Sequence, residues 1–150
     1  MIKNIQNFCR LDREKKKLFL EAYVILLWVR TILKLTSFKY ATQDLKQIQN
    51  NANIDDTAMT DQAIVANVCE AVKQASGHTW GKNTCLAQTI SAQKMLVKRQ
   101  IGGRLYIGVM KEEKIHKAHA WLAYNGEVMI GEYEYEKHEV MVSYTWDVAS

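Results

Sequence analysis

Apolar residues recur at helical spacing through the first two thirds of the chain. Residues 12–36 (DREKKKLFLEAYVILLWVRTILKLT) are predicted to form one long helix, with Asp12 as its N-cap and Glu14 in the first turn, where the helix dipole favours a carboxylate. The centre of this segment is apolar on nearly every side, which is typical of a buried helix. We expect it to pack within this protein, and the alternative is a face turned towards a partner or a membrane.

Three shorter helices are predicted after it. A weak polar helix over 38–50 is followed by a loop, and a second helix runs from about 60 to 76, capped by Thr60 and Gly77. The third begins at Cys85 and ends near residue 99. The last two helices have apolar faces that we expect to be packed: Ile64, Val65, Val68, Cys69 and Val72 in one, and Leu86, Ile90, Leu96 and Val97 in the other.

The pattern changes to strands after Gly102-Gly103. Segments rich in β-branched and aromatic residues are predicted as strands, over 104–110, 119–124, 127–135 and 139–146. The predicted fold class is therefore α+β, with N-terminal helices and a cysteine-bearing helix packed on a C-terminal antiparallel sheet. We divide the chain into an N-terminal helical region over 1–50, for docking or core packing, and a core over 51–150.

Composition and charge narrow the function classes. The 150 residues are 48% hydrophobic and 24% charged, without proline, which predicts one globular domain. A net charge of +4, without a recognised motif, does not indicate a nucleic-acid partner. The apolar stretch 22–29 is too short to span a bilayer, and no signal peptide is recognised, so we expect a cytoplasmic protein without membrane association. Cys9, Cys69 and Cys85 lack C-x-x-C spacing, which favours reduced thiols over disulfides or structural zinc.

Cys85 is the candidate nucleophile. It follows a short polar run and lies in the first turn of a predicted helix, near unpaired backbone N–H groups and the positive end of the dipole. Both favour the thiolate, and the same N–H groups can serve as oxyanion donors. A structural cysteine can occupy the same position, so this location alone does not decide the role.

A thiolate nucleophile needs a base, and His119 is the best-placed of the four histidines. It begins a predicted strand, whereas the other three (His78, His116 and His138) fall in predicted loops or near a turn. His119 is either a positioned general base or a core residue whose ring nitrogens are hydrogen-bonded within the protein. Cysteine and histidine together would support nucleophilic catalysis.

The hairpin turn predicts a third residue for this site. Asn125-Gly126 is the strongest two-residue hairpin signal, and counting back from it places His119 opposite Glu132. A carboxylate there would fix the imidazole tautomer and stabilise the imidazolium. A slip of one residue would instead bring Gly131 opposite, and Glu132 would then belong to a solvated edge strand.

Two blocks of the chain resemble a known family. TWGKNTCLAQTISAQKMLVKRQIGGRLYIGV and AHAWLAYNGEVMIG are similar to the B2 proteins of lasso peptide biosynthesis, which are small transglutaminase-like cysteine peptidases. That pattern combines a tryptophan shortly before a Cys-Leu pair, a helix, a Leu-x-Ile/Leu-Gly-Val strand, an Ala-His-Ala-Trp strand and a glycine hairpin. Here these are Trp80, Cys85-Leu86, 105–109, 118–121 and Gly126. The apolar N-terminal helix is similar as well.

The resemblance implies a leader peptidase on a transglutaminase/papain-like core. Such an enzyme removes the leader from a ribosomally made precursor peptide, with a separate leader-recognition protein called B1, before an ATP-dependent cyclase acts. Cys85 matches the family nucleophile and His119 its base, while Trp80 and Gln88 lie where they could line the substrate site. No metal or cofactor is implied. The apolar N-terminal helix is the candidate docking surface for B1.

This chain departs from the family pattern at one position, and two alternative functions stay open. The family usually carries an aspartate a dozen residues after the histidine, and this chain has Gly131 there with Glu132 next. Either Glu132 takes the third role or that role is weak or absent. The alternatives are a Cys-His acyltransferase of the transglutaminase type, and a non-catalytic module on the same fold that holds the precursor.

Overall fold

The fold combines a layer of helices with an antiparallel sheet, as a computed structural model shows. The structure describes residues 12–36, 38–41, 46–48, 61–79, 84–112, 115–133 and 135–146. Its helices are α1 (Arg13–Leu35), α2 (Phe38–Ala41), α3 (Gln62–His78) and α4 (Cys85–Lys98). Its strands are β1 (Lys46–Ile48), β2 (Gly103–Glu112), β3 (Ile115–Tyr124), β4 (Glu127–Ile130) and β5 (Glu139–Trp146). The predicted α+β class is confirmed, and β2 to β5 follow the helices as predicted, whereas β1 lies between α2 and α3.

The described strands form one sheet in the order β1-β5-β2-β3-β4, and each neighbouring pair is antiparallel. The polar helix predicted over 38–50 is wrong, because the chain there forms the four-residue α2 and then β1. β1 pairs with β5, with Lys46 opposite Thr145 and Ile48 opposite Ser143. Backbone pairing along the edge of β5 outweighs a weak local helix propensity, and pairing of this kind cannot be read from the local sequence.

α1 buries one stripe of its surface. It begins after Asp12, the predicted N-cap, whose side chain accepts a hydrogen bond from the backbone N–H of Arg13. Ala22, Leu26 and Val29 are buried in the common core, but the opposite side keeps large apolar residues exposed: Leu20, Val24, Leu27, Trp28 and Leu35. In the described ranges, no helix is both long and apolar enough to cross a membrane.

α3 and α4 complete the helical side of the core. The predicted stripe of α3 is buried except at Ile64, which is 44% exposed because it lies to one side of the row formed by Val65, Val68 and Val72. The predicted cap at Gly77 is wrong, since α3 continues through His78 and Thr79 is its C-cap. Thr60 lies outside the described residues. In α4, Ile90 and Leu96 are buried as predicted, Leu86 is partly buried, and Val97 is exposed.

β4 is shorter than the sequence predicts, and this difference shapes the site. The strand predicted over 127–135 ends at Ile130. The pairs Tyr124–Glu127 and Ala123–Val128 form as the turn predicts, but Ile130 pairs with Leu122 instead of Trp121. The register therefore shifts by one residue at Met129, in the manner of a β-bulge. Every residue after the bulge is displaced from the position that simple counting gives.

A partly buried ion pair ties α1 to the end of α4. The guanidinium of Arg99 donates to Glu21, with 2.6 Å between Nη2 and Oε2, and Lys98 Nζ lies 3.1 Å from Oε1. The hydrogen bond from Arg99 lowers the pKa of Glu21; burial opposes this shift, and Lys98 adds to the lowering. Folding therefore favours the ionised carboxylate.

Replacing Glu21 by glutamine should lower the free energy of unfolding by about 1 kcal/mol at neutral pH. Because the pKa of Glu21 is lowered in the fold, its contribution is present above the ordinary carboxyl value of 4.5 and is lost as the pH falls through the lowered value. Urea unfolding of both proteins at pH 7 and pH 3 measures the difference, which should shrink in acid. Glu14→Gln, which removes an exposed pair with Lys17, is the control and should have a smaller effect. An unchanged difference at pH 3 would contradict the ion-pair explanation.

Candidate active site

Cys85 is the first residue of α4, as the sequence predicts. Thr84 is the N-cap: its Oγ1 accepts a hydrogen bond from Ala87 N at 3.2 Å, and its carbonyl accepts from Gln88 N. These bonds fix the start of the helix, so Cys85 lies in the first turn, where the dipole is positive. Its side chain is partly exposed.

The thiol of Cys85 reaches the backbone of β3. Ala120 N donates a hydrogen bond to Cys85 Sγ at 3.4 Å, which joins the helix start to a strand 35 residues away in the chain. The ladder between β3 and β4 stops at Leu122, two residues from Ala120. The early end of β4 thus leaves the Ala120 N–H to the sulfur. This contact fixes the sulfur beside the backbone of β3, next to His119 in the chain.

His119 directly precedes Ala120 and is oriented by a backbone carbonyl. Its Nε2 lies 2.8 Å from the carbonyl oxygen of Gly131. Because a carbonyl only accepts hydrogen bonds, Nε2 must carry the proton. In the neutral imidazole, Nδ1 is then the unprotonated nitrogen and can accept a proton. The ring is partly buried.

Gly131 is held where only glycine fits. Its φ is +82°, a conformation that residues with a side chain rarely adopt. A Cβ atom at this position would lie 2.5 Å from the carbonyl oxygen of Ala120 and 3.0 Å from the Cα of Trp121. The chain therefore lies directly against β3, and this close approach carries the Gly131 carbonyl to His119.

Glu132 does not lie opposite His119, and that prediction is wrong. The bulge at Met129 and the turn at Gly131 end β4 before Glu132, whose carboxylate instead pairs with Lys73 of α3 at 2.5 Å. Burial acts to raise the pKa of Glu132, but hydrogen bonds from Lys73 and from nearby backbone N–H groups, together with the Lys73 charge, lower it overall. The side chain is 56% exposed. Glu132 is thus an ionised partner of α3.

A row of aromatic rings continues from His119 across the sheet. Trp121 stacks on His119 at 6.1 Å between ring centroids and on Tyr106 at 5.5 Å, and Tyr135 lies 6.0 Å from Trp121. His119 and Trp121 share a face because they are two residues apart on one strand. Leu122 and Tyr124, at alternate positions of β3, belong to the hydrophobic core.

Sequence reasoning missed His138 and Lys73. The His138 ring lies 5.0 Å from that of His119, although the sequence suggested a surface position near a turn. Nothing in the local pattern around either residue points to the site, since each is brought there by tertiary packing. The alternation of side chains along β3 was the signal that could have placed Trp121 on the same face as His119.

The predicted positions that remain are Gln88, Trp80 and Cys69. Gln88 lies on α4 one turn beyond Cys85 and is partly buried, whereas Trp80 falls outside the described residues. Cys69 is buried in α3, and burial raises the pKa of its thiol to about 12. No group of three or more His, Cys, Asp or Glu side chains within the described ranges could hold a metal ion.

The two described cysteines should differ sharply in reactivity. Brief treatment of the folded protein with iodoacetamide at pH 7.5 should alkylate Cys85 and spare Cys69, because Cys69 is buried and stays protonated. Peptide mass spectrometry after digestion assigns each modified thiol. Protein denatured before treatment is the control, and there both cysteines should react. Equal modification of Cys69 and Cys85 in the folded protein would contradict the assignment.

The comparisons with known proteins give one family. The family model described as "Transglutaminase-like superfamily" matches residues 23–143, which include Cys85, His119 and Gly131. No curated protein and no solved structure matches the chain significantly. The matched range extends from the first half of α1 into β5, so it covers both the helical layer and the sheet.

Proposed function

Because this chain belongs to the transglutaminase-like superfamily, whose members are generally cysteine-dependent enzymes, we propose that it is a cysteine peptidase that removes the leader of a lasso peptide precursor. The observation that carries the proposal is the meeting of Cys85 and β3: the thiol accepts the N–H of Ala120, and the next residue is His119 with Nε2 protonated. The similarity of the Cys and His blocks to B2 proteins supports the choice of substrate.

The reaction proceeds by acyl transfer through the cysteine. Nδ1 of His119 accepts the thiol proton, and Cys85 Sγ attacks the carbonyl carbon of the scissile peptide bond. The tetrahedral intermediate collapses as the imidazolium gives its proton to the leaving nitrogen, which frees the core peptide with an α-amine. Water, deprotonated by His119, then cleaves the thioester, and the leader leaves as a carboxylic acid.

The start of α4 supplies the electrostatic part of this mechanism. Thr84 engages Ala87 N and Gln88 N, and we assign the first-turn amide of Cys85 as the donor to the developing oxyanion. The hydrogen bond from the Ala120 N–H holds the sulfur beside β3 before attack. Gln88 lies one turn further along the same helix and is our candidate for contact with the peptide near the cut.

A leader-recognition protein of the B1 type is the proposed partner. The exposed side of α1, with Leu20, Val24 and Trp28, is the surface we assign to its docking, because large apolar residues rarely cluster on a free surface. The cyclase then uses the freed core. We place this reaction in the cytoplasm, where thiols remain reduced.

Leader release from precursor peptide is the direct test. Wild-type protein, a B1-type recognition protein and the precursor are incubated together, and the products are followed by mass spectrometry. Cys85→Ala should abolish release, and His119→Gln should slow it by about 10² to 10⁴-fold, the usual contribution of general acid–base catalysis. Cys69→Ala is the matched control and should keep most of the activity, because the Cys69 side chain is buried in the core of the helical layer.

Three outcomes would overturn parts of the proposal. If the Cys85→Ala variant releases leader at the wild-type rate, Cys85 is not the nucleophile. A leader that carries an added primary amine in place of a free carboxylate would assign acyl transfer of the transglutaminase type. Absence of release by the wild-type protein with its recognition partner present would exclude this substrate class.

A further inference from the structure

We propose that the backbone carbonyl of Gly131 orients His119 in place of a carboxylate, and that the ion pair between Lys73 and Glu132 positions that carbonyl. The catalytic consequence of this arrangement rests on the proposed function, whereas the arrangement itself does not. Gly131 and Glu132 then act together: one presents the acceptor, and the other anchors the backbone that carries it.

The acceptor at His119 is the first step of the inference. The 2.8 Å contact from Nε2 to the Gly131 carbonyl occupies the ring nitrogen that an acidic partner would hold. A backbone carbonyl has no proton to gain or lose and cannot rotate away without moving the chain. It therefore selects the tautomer with Nδ1 bare, although without the full charge that a carboxylate offers to the imidazolium.

The second step is the rigidity of Gly131. The φ of +82° and the close approach to Ala120 leave no room for a side chain. An aspartate at this position would place its Cβ 2.5 Å from the Ala120 carbonyl oxygen. In this backbone a carbonyl is the group that residue 131 can offer to His119.

The third step is the anchor directly after Gly131. The Glu132 carboxylate pairs with Lys73, 59 residues earlier in the chain. Lys73 follows Val72 of α3, which is fully buried in the core, so the cation stands on a fixed element. The ion pair joins the segment after β4 to the helical layer, one residue from the carbonyl that binds His119. Glu132 is thus a positioning residue and does not touch the reacting atoms.

The tautomer of His119 tests the acceptor without reference to peptidase activity. In protein labelled with ¹⁵N-histidine, long-range ¹H–¹⁵N spectra at pH 8 distinguish the two neutral tautomers, and the His119→Gln spectrum assigns the signals. We expect His119 as the Nε2–H form in the wild-type protein, and a mixture of tautomers in Gly131→Ala. His119 as the Nδ1–H form in the wild-type protein would overturn the proposal.

A charge exchange tests the anchor. Lys73→Met and Glu132→Gln should each lower kcat/KM for leader release by about two- to fivefold, since the pair is partly exposed, and the loss should fall mainly on kcat. The double variant Lys73→Glu/Glu132→Lys restores the pair with reversed charges and should return to within about twofold of wild type. Glu14→Gln removes an exposed ion pair on α1 and is the matched control, with no expected change.

The competing role of Glu132 gives a different pattern. If its carboxylate contacts His119 during catalysis, Glu132→Gln will be slow, Lys73→Met will match wild type, and the exchanged pair will stay as slow as Glu132→Gln. That pattern would overturn the anchoring role of the ion pair. Single variants Lys73→Met and Glu132→Gln that both release leader at the wild-type rate would overturn it as well. Because these side chains are partly exposed, their variants report even if Gly131→Ala fails to fold. A wild-type protein that releases no leader would remove the proposed function, while the tautomer measurement would still test the acceptor.

Discussion

The close approach of Gly131 to β3 is the constraint on which the rest of the site depends. β4 ends at Ile130, and the glycine with its positive φ turns the chain against the backbone of Ala120 and Trp121. The backbone carbonyl of Gly131 thereby comes within hydrogen-bond distance of His119 and serves as its acceptor. Because the ladder to β4 has already ended, the N–H of Ala120 is left for Cys85. A longer β4 would compete with the sulfur for that N–H.

The helical layer fixes the other half of the site. α4 reaches β3 with Cys85 at its first turn, and its buried residues pack in the same core as those of α1 and α3. Arg99 at the far end of α4 is bound to Glu21 of α1, so both ends of the helix have partners. The thiol is thereby placed by a rigid element whose packing is largely apolar, while the histidine is placed by the sheet.

Much of this could be predicted from the sequence, and the errors have a common physical origin. Helical periodicity predicted α1, α3 and α4, and Cys85 and His119 were singled out by position and by family spacing. The hairpin turn gave the first two pairs of β3 and β4 correctly. Counting then failed at Met129, because a bulge depends on tertiary contacts and moves every later residue by one position. The helix predicted over 38–50 was wrong for a similar reason, because β1 forms there by pairing with β5, about a hundred residues away in the chain.

The position of Glu132 shows why adjacency in sequence misleads at such a site. A carboxylate next to the expected aspartate position suggests a simple shift of one residue, yet successive residues beyond a strand end point in different directions. Gly131 already occupies the space beside His119 with its backbone, and Glu132 faces α3. The orienting function can therefore pass from a side chain to the main chain without a new acidic residue. The exchange keeps the geometry of the imidazole and gives up part of the electrostatic support for its protonated form.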